Sequence, residues 1–104
     1  MTLKTPVALI TGAGSGIGRA LAIEAARSGY DLILVGRRQA QLEETAALLT
    51  TGKVQLVAAD ITTPVGRADI VAAVEDRLDI LVNNAGRLAV GRLTDLSDAD
   101  IAHT

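Results

Sequence analysis

Thr11-Gly12-Ala13-Gly14-Ser15-Gly16-Ile17-Gly18 puts four glycines into eight residues, directly after the apolar run Val7 to Thr11. That run (VALIT) is short and partly β-branched, the pattern of a strand buried on both faces. Downstream, Ile17, Leu21 and Ala25 recur every four residues until Ser28-Gly29, which predicts a first helix closed by a glycine. A glycine cluster between a strand and a helix converges backbone N–H groups and the positive end of the helix dipole on one place, suited to a phosphate. Glycine also lets the chain turn tightly and lets a ligand approach the backbone. The spacing G-x-G-x-x-G fails from Gly12, because position 17 is Ile17, and from Gly14, because position 19 is Arg19. The G-K-[ST] ending of a P-loop is missing as well. T-G-x-x-x-G-x-G fits.

Outward from this turn the chain alternates. Asp31 to Val35 (DLILV) predicts a second strand, ending at Gly36-Arg37-Arg38. Leu42, Ala46 and Leu49 mark one face of a second helix, with Gly52 just beyond it. Val54 to Ala59 predicts a third strand ending at Asp60, and Pro64 suits a first helical turn. Val71, Val74 and Leu78 mark a face of the third helix, and Ile80 to Val82 predicts a fourth strand, closed by Asn83-Asn84-Ala85-Gly86. Ser97 and Asp100 resemble a capping box whose helix has barely begun at Thr104. The order βαβαβαβ calls for an α/β fold of the Rossmann type, a doubly wound parallel sheet in strand order 3-2-1-4 with right-handed crossovers and the phosphate turn at the switch between strands one and four. The sheet is expected to be incomplete on its C-terminal side, with Ile80 to Val82 left as a flat apolar edge.

Composition narrows the function classes. The chain has 104 residues, enough for one small domain, with 49% hydrophobic and 21% charged residues, the balance of a packed globular chain. A net charge of -2 gives no electrostatic reason to expect nucleic acid or an acidic membrane surface. No apolar run approaches a membrane span and no signal-peptide pattern opens the sequence, so a cytoplasmic protein is expected. The absence of cysteine excludes disulfides, thiolate metal sites and a thiol nucleophile, and no metal site is expected. With no Phe or Trp, the core must be filled by Leu, Ile, Val and Ala.

The octapeptide Thr11 to Gly18 resembles the cofactor motif of the short-chain dehydrogenase/reductase family, and the likeness extends in register through Asp60-Ile61 and Asn83-Asn84-Ala85-Gly86. It covers nearly the whole chain. The resemblance implies that Gly12, Gly16 and Gly18 shape a pyrophosphate turn, with the backbone at Ser15 and Ile17 against the phosphates and the Thr11 hydroxyl bracing the loop. It implies that Asp60 accepts a hydrogen bond from the adenine amino group, with Ile61 against the ring, and that Asn84, Ala85 and Gly86 line the adenosine ribose. Asn83 is expected to brace the sheet through side-chain to backbone bonds. Asp60 also suits a plain turn former after a strand. The extended branch of the family carries T-G-x-x-G-x-x-G, and Ser15 stands at its middle glycine here, so the shorter branch fits better.

In such folds an acidic residue at the end of the second strand bonds the ribose 2'-hydroxyl, whereas an arginine accommodates a 2'-phosphate. This chain has Gly36 followed by Arg37 and Arg38, so NADP is expected over NAD. One departure is that many NADP-binding relatives carry a basic residue inside the glycine turn, where Ser15 stands.

The resemblance also implies hydride transfer assisted by a Tyr, a Lys four residues later, and a Ser. No Tyr-x-x-x-Lys occurs here: Tyr30 is followed at the fourth place by Leu34 and is assigned to packing, His103 to the surface, and Ser97 to a helix cap. No catalytic residue is therefore assigned within residues 1–104. Two functions stand. One is the N-terminal, cofactor-binding part of an NADP-dependent oxidoreductase acting on a small carbonyl or alcohol substrate, with the catalytic segment absent, the 104 residues redox-inactive alone and the full-length enzyme a homo-oligomer. The other is a dinucleotide-binding or regulatory module without redox chemistry.

Overall fold

The computed structural model describes residues 5–50, 52–74, 77–84 and 90–91. Four parallel strands form the sheet in the expected order: β1 (Val7–Thr11), β2 (Asp31–Gly36), β3 (Val54–Ala58) and β4 (Ile80–Val82), arranged β3-β2-β1-β4. Three helices connect them: α1 (Gly16–Arg27), α2 (Gln39–Ala47) and α3 (Pro64–Ala73). The register pairs Val7 with Asp31 and Thr11 with Val35, so β1 and β2 end level with each other.

Side chains alternate across each strand and thereby divide the core in two. Leu9, Ile33, Val35 and Leu81 face α3, where Ile70 and Ala73 meet them. Ala8, Ile10, Leu32 and Leu34 face the other way, toward Ala22 and Ala26 of α1 and Leu42 of α2. Tyr30 is half-buried against this second cluster, consistent with a packing role. The strands are continuous apolar runs because helices cover both faces of the sheet.

Three expectations need correction. The edge of β4 is not open: a two-residue strand β5 (Val90–Gly91) pairs with it antiparallel, Leu81 opposite Gly91 and Val82 opposite Val90. A strand of two residues, one of them glycine, carries no periodicity for sequence reading to find. The face of α3 is Gly66, Ile70 and Ala73, not Val71, Val74 and Leu78. The helix stops at Ala73, where Val74 turns to extended backbone, so Val74 and Leu78 pack on the core from beyond it while Val71 is exposed. In α1 the buried stripe is Gly18, Ala22 and Ala26, one residue on from the Ile17-Leu21-Ala25 series, and Ile17 is 67% exposed. Ser97, Asp100 and His103 lie outside the described residues.

Candidate functional site

The C-terminal ends of β1, β2 and β3 open into one cavity of about 340 Å³. Its walls are Gly12, Gly14 and Ser15 from the first turn, Val35 to Arg38 and Gln41 from the second, and Ala59 to Thr62 from the third. Of the residues singled out by sequence, Gly12, Ser15, Arg37, Arg38, Asp60 and Ile61 thus meet around one space. Gly16, Ile17 and Gly18 continue from the turn into α1, and Asn84 stands behind it. Ala85 and Gly86 lie outside the described residues.

The first turn needs its glycines for two different reasons. Gly12 and Gly16 have φ of 63° and 57°, left-handed values that strain a residue carrying a Cβ. Gly18 is helical, but a Cβ there would collide with the carbonyl oxygen of Gly12 and stand 2.8 Å from Nδ2 of Asn84. The absent side chain lets α1 lie directly on the end of β1. Ser15 is the N-cap residue of α1 in extended backbone, and its side chain makes no cap bond. The N–H groups of Gly14 and Ser15 have no acceptor among the described residues. An exposed helix start with free donors is an anion site in the making.

Thr11 braces the end of β4 rather than the glycine turn. Its hydroxyl donates to Oδ1 of Asn83 at 2.9 Å and accepts from the backbone N–H of Asn84 at 2.9 Å. Asn83 is fully buried, and its Oδ1 takes the Thr11 proton. The Thr11–Asn83 pair joins the two strands that flank the switch point.

At the second turn, Gly36 ends β2 and the two arginines follow, both exposed and neither guanidinium with a hydrogen bond or ion pair among the described residues. Arg38 is the N-cap of α2, makes no side-chain cap bond, and is followed by a first helical turn without an acidic residue. Cations are poorly placed at a helix N-terminus, so this end of α2 presents positive charge to the cavity, with Asp60 attracting Arg37.

At the third turn, Oδ1 of Asp60 accepts from the Thr62 N–H at 2.9 Å and the Thr62 hydroxyl at 2.6 Å. These bonds, with Arg37 adding attraction, hold the Asp60 carboxyl below its ordinary pKa. Asp60 is therefore a turn former through one oxygen, and Oδ2 stays free among the described residues. Ile61 is mostly buried in the α3-facing core and shows only its rim to the cavity.

The sequence pattern described as short chain dehydrogenase matches residues 6–104. The chain belongs to the short-chain dehydrogenase family. An uncharacterized oxidoreductase of Staphylococcus epidermidis is 40% identical over 96 residues, an alignment covering 89% of this chain and 41% of that protein. Among solved short-chain dehydrogenase-like structures, L-sorbose reductase of Gluconobacter frateurii, complexed with NADPH and L-sorbose, is 37% identical. It superposes with a TM-score of 0.75 over 95% of this chain and 40% of that one. Glucose dehydrogenase of Caenorhabditis elegans is 44% identical with a TM-score of 0.70, over 78% of this chain and 38% of that one. The chain thus spans about two fifths of the length of the short-chain dehydrogenases it matches.

Several residues in or behind the cavity wall escaped sequence reading. Gly14 admits no side chain because a Cβ would stand 2.9 Å from Cβ of Gln41. Gly66 lies against the backbone of Asp60, Thr62 orients the Asp60 carboxylate, and Thr45 is a fully buried hydroxyl beneath the glycine turn. The only sequence signal for Gly66 is its spacing: it follows Asp60 by the same six residues that separate Gly18 from Gly12.

Proposed function

We propose that the cavity holds the adenosine end of NADP(H), and that this chain is the cofactor-binding part of an oxidoreductase that moves hydride between nicotinamide and a carbonyl or alcohol substrate. The observation that carries the reading is the uncapped start of α2. Two guanidiniums with no hydrogen bond or ion pair among the described residues stand there beside Gly36, where a carboxylate would repel a phosphate. A 2'-phosphate bound there offsets this positive charge, and arginine can grip it through two parallel bonds. The free Gly14 and Ser15 N–H groups serve the pyrophosphate, and Oδ2 of Asp60 the adenine amino group. Asn84, behind the turn, is assigned to the ribose on the family resemblance. The bound cofactor supplies or accepts the hydride. The NADPH present in the L-sorbose reductase structure supports the choice of cofactor. Among the described residues no helix is long and apolar enough to cross a membrane, and a cytoplasmic setting belongs to the same proposal.

The test is a fluorescence titration of the full-length protein with NADPH and with NADH. NADPH is expected to bind more tightly, and Arg37→Asp to abolish or reverse the preference. One charged contact of about 1.5 to 3 kcal/mol corresponds to roughly a tenfold to hundredfold difference. Equal affinities in the unsubstituted protein would refute the assignment.

A further inference from the structure

Arg19, in the first turns of α1, reaches away from the cavity and under the glycine turn. Its Nε donates to Oγ1 of Thr45 at 2.9 Å, and one Nη donates to the Gly14 carbonyl at 2.6 Å. The same Nη approaches the Gln41 carbonyl at 3.4 Å and the exposed Glu44 carboxylate at 3.3 Å. Thr45, buried in α2, passes its own proton to the Ala13 carbonyl at 2.8 Å. Two consecutive carbonyls of the turn are therefore held from below, one by α1 and one by α2.

A trans peptide points its N–H opposite to its C=O. Fixing the carbonyls of Ala13 and Gly14 fixes the N–H groups of Gly14 and Ser15 in the opposite direction, and these are the donors without an acceptor among the described residues. The bonds also tie the turn to α2, the helix whose first residues follow Arg37 and Arg38. Gly14 already lies so close to Gln41 that a Cβ would not fit, so the spacing between turn and helix is set by contact as well as by these bonds. The Glu44 pair, open to solvent, adds little.

We propose that Arg19 and Thr45 form a clamp that aims the turn's amides and sets its distance from the two arginines. Arg19 is thereby a positioning residue that governs both affinity for the dinucleotide and discrimination between its two forms. The proposal rests on the cofactor reading above. The clamp joins residues 26 apart in sequence, and neither side chain lines the cavity.

The experiment measures NADPH and NADH dissociation constants on the full-length protein for Arg19→Ala, Thr45→Val, the double substitution and Thr45→Ser, with melting temperatures in parallel. NADPH, which uses both ends of the clamped spacing, is expected to weaken at least tenfold in Arg19→Ala and NADH less, so the preference ratio falls about threefold or more. The double substitution is expected to cost little more than the worse single one, because both act on one turn. Thr45→Ser, which keeps the hydroxyl, is expected to restore binding to within about twofold. If Arg19→Ala does not fold, the Thr45→Val and Thr45→Ser pair carries the same comparison. A lowered melting temperature with unchanged dissociation constants and ratio would overturn the clamp and leave the 2'-phosphate reading standing. Equal NADPH and NADH affinity before any substitution would instead overturn that reading, while weakening of both cofactors by Arg19→Ala would still uphold the clamp's grip on the pyrophosphate turn.

Discussion

The turns from β1 into α1 and from β3 into α3 are built on one plan and finished differently. In each, the third helical residue is a glycine, Gly18 or Gly66, whose Cβ would collide with a carbonyl six residues earlier, that of Gly12 or Asp60. In each, the helix consequently packs directly on the end of its strand. At α3 the N-cap residue Thr63 accepts from the Gly66 N–H at 2.9 Å, and its own hydroxyl and N–H donate to the Asp60 carbonyl at 3.0 and 3.2 Å. At α1 the N-cap residue Ser15 makes no side-chain cap bond, and the N–H groups of Gly14 and Ser15 have no acceptor among the described residues. The protein satisfies the start of α3 from within and leaves open the start of α1, which the proposed function sets against a phosphate. An uncapped helix is thus a readable mark of function when a capped one of the same design stands beside it.

The largest effect is expected from adding a methyl at the shared glycine. Alanine is worth about 1 kcal/mol more than glycine in a helix interior, so Gly18→Ala and Gly66→Ala would stabilise if propensity decided. Collision with a backbone carbonyl costs about 1 to 3 kcal/mol or more, and net destabilisation is expected at both positions in denaturant unfolding. Both should also weaken cofactor binding, Gly18→Ala more. Stabilisation at either position would break the parallel between the turns.

Cap removal should separate the two turns by a smaller amount. Thr63→Ala is expected to cost about 1 kcal/mol of stability, as N-cap deletions do, with cofactor affinity changed little. Ser15→Ala, having no cap bond to lose, is expected to stay within about 0.5 kcal/mol. Equal losses at the two positions in parallel unfolding curves would show that Ser15 does cap α1.

The smallest effect concerns Asp60 and is one of pH. Because its folded pKa lies below its unfolded one, Asp60 contributes stability above its ordinary value and loses it as the pH falls through the lowered one. Its carboxylate is therefore ionised, and able to accept, throughout the neutral range. Thr62→Val removes the hydroxyl bond and should raise the Asp60 pKa toward its ordinary value, followed by carbon NMR of the carboxyl group. An unchanged titration would mean that the backbone N–H of residue 62 and Arg37, and not the Thr62 hydroxyl, hold the carboxylate down.

Much of the fold was legible because it is written in short local signals. Strand ends coincide with Gly12, Gly36, Asp60 and Asn83, and the apolar runs between are the β1 to β4 of the structure. Three of the four turn glycines, Gly12, Gly16 and Gly18, could be given roles through the resemblance of their spacing to the family motif. Gly66, Thr45 and Arg19 could not, because their reasons for being there lie elsewhere in the chain: a carbonyl six residues back, or a partner 26 residues away. Ile17 and Val71 misled for the opposite reason, since periodicity marks a stripe without saying which neighbouring stripe meets the sheet. The Arg37-Arg38 pair was legible as charge, and only the structure shows that α2 begins there uncapped.

The contrast between the turns is tested most directly by amide NMR shifts of the full-length protein during titration with NADPH. The largest shifts are expected at the N–H groups of Gly14, Ser15, Gly16 and Ile17, with those of Val65, Gly66 and Arg67 almost unmoved. Comparable or larger shifts at the start of α3 would contradict the assignment of the uncapped turn to the phosphates.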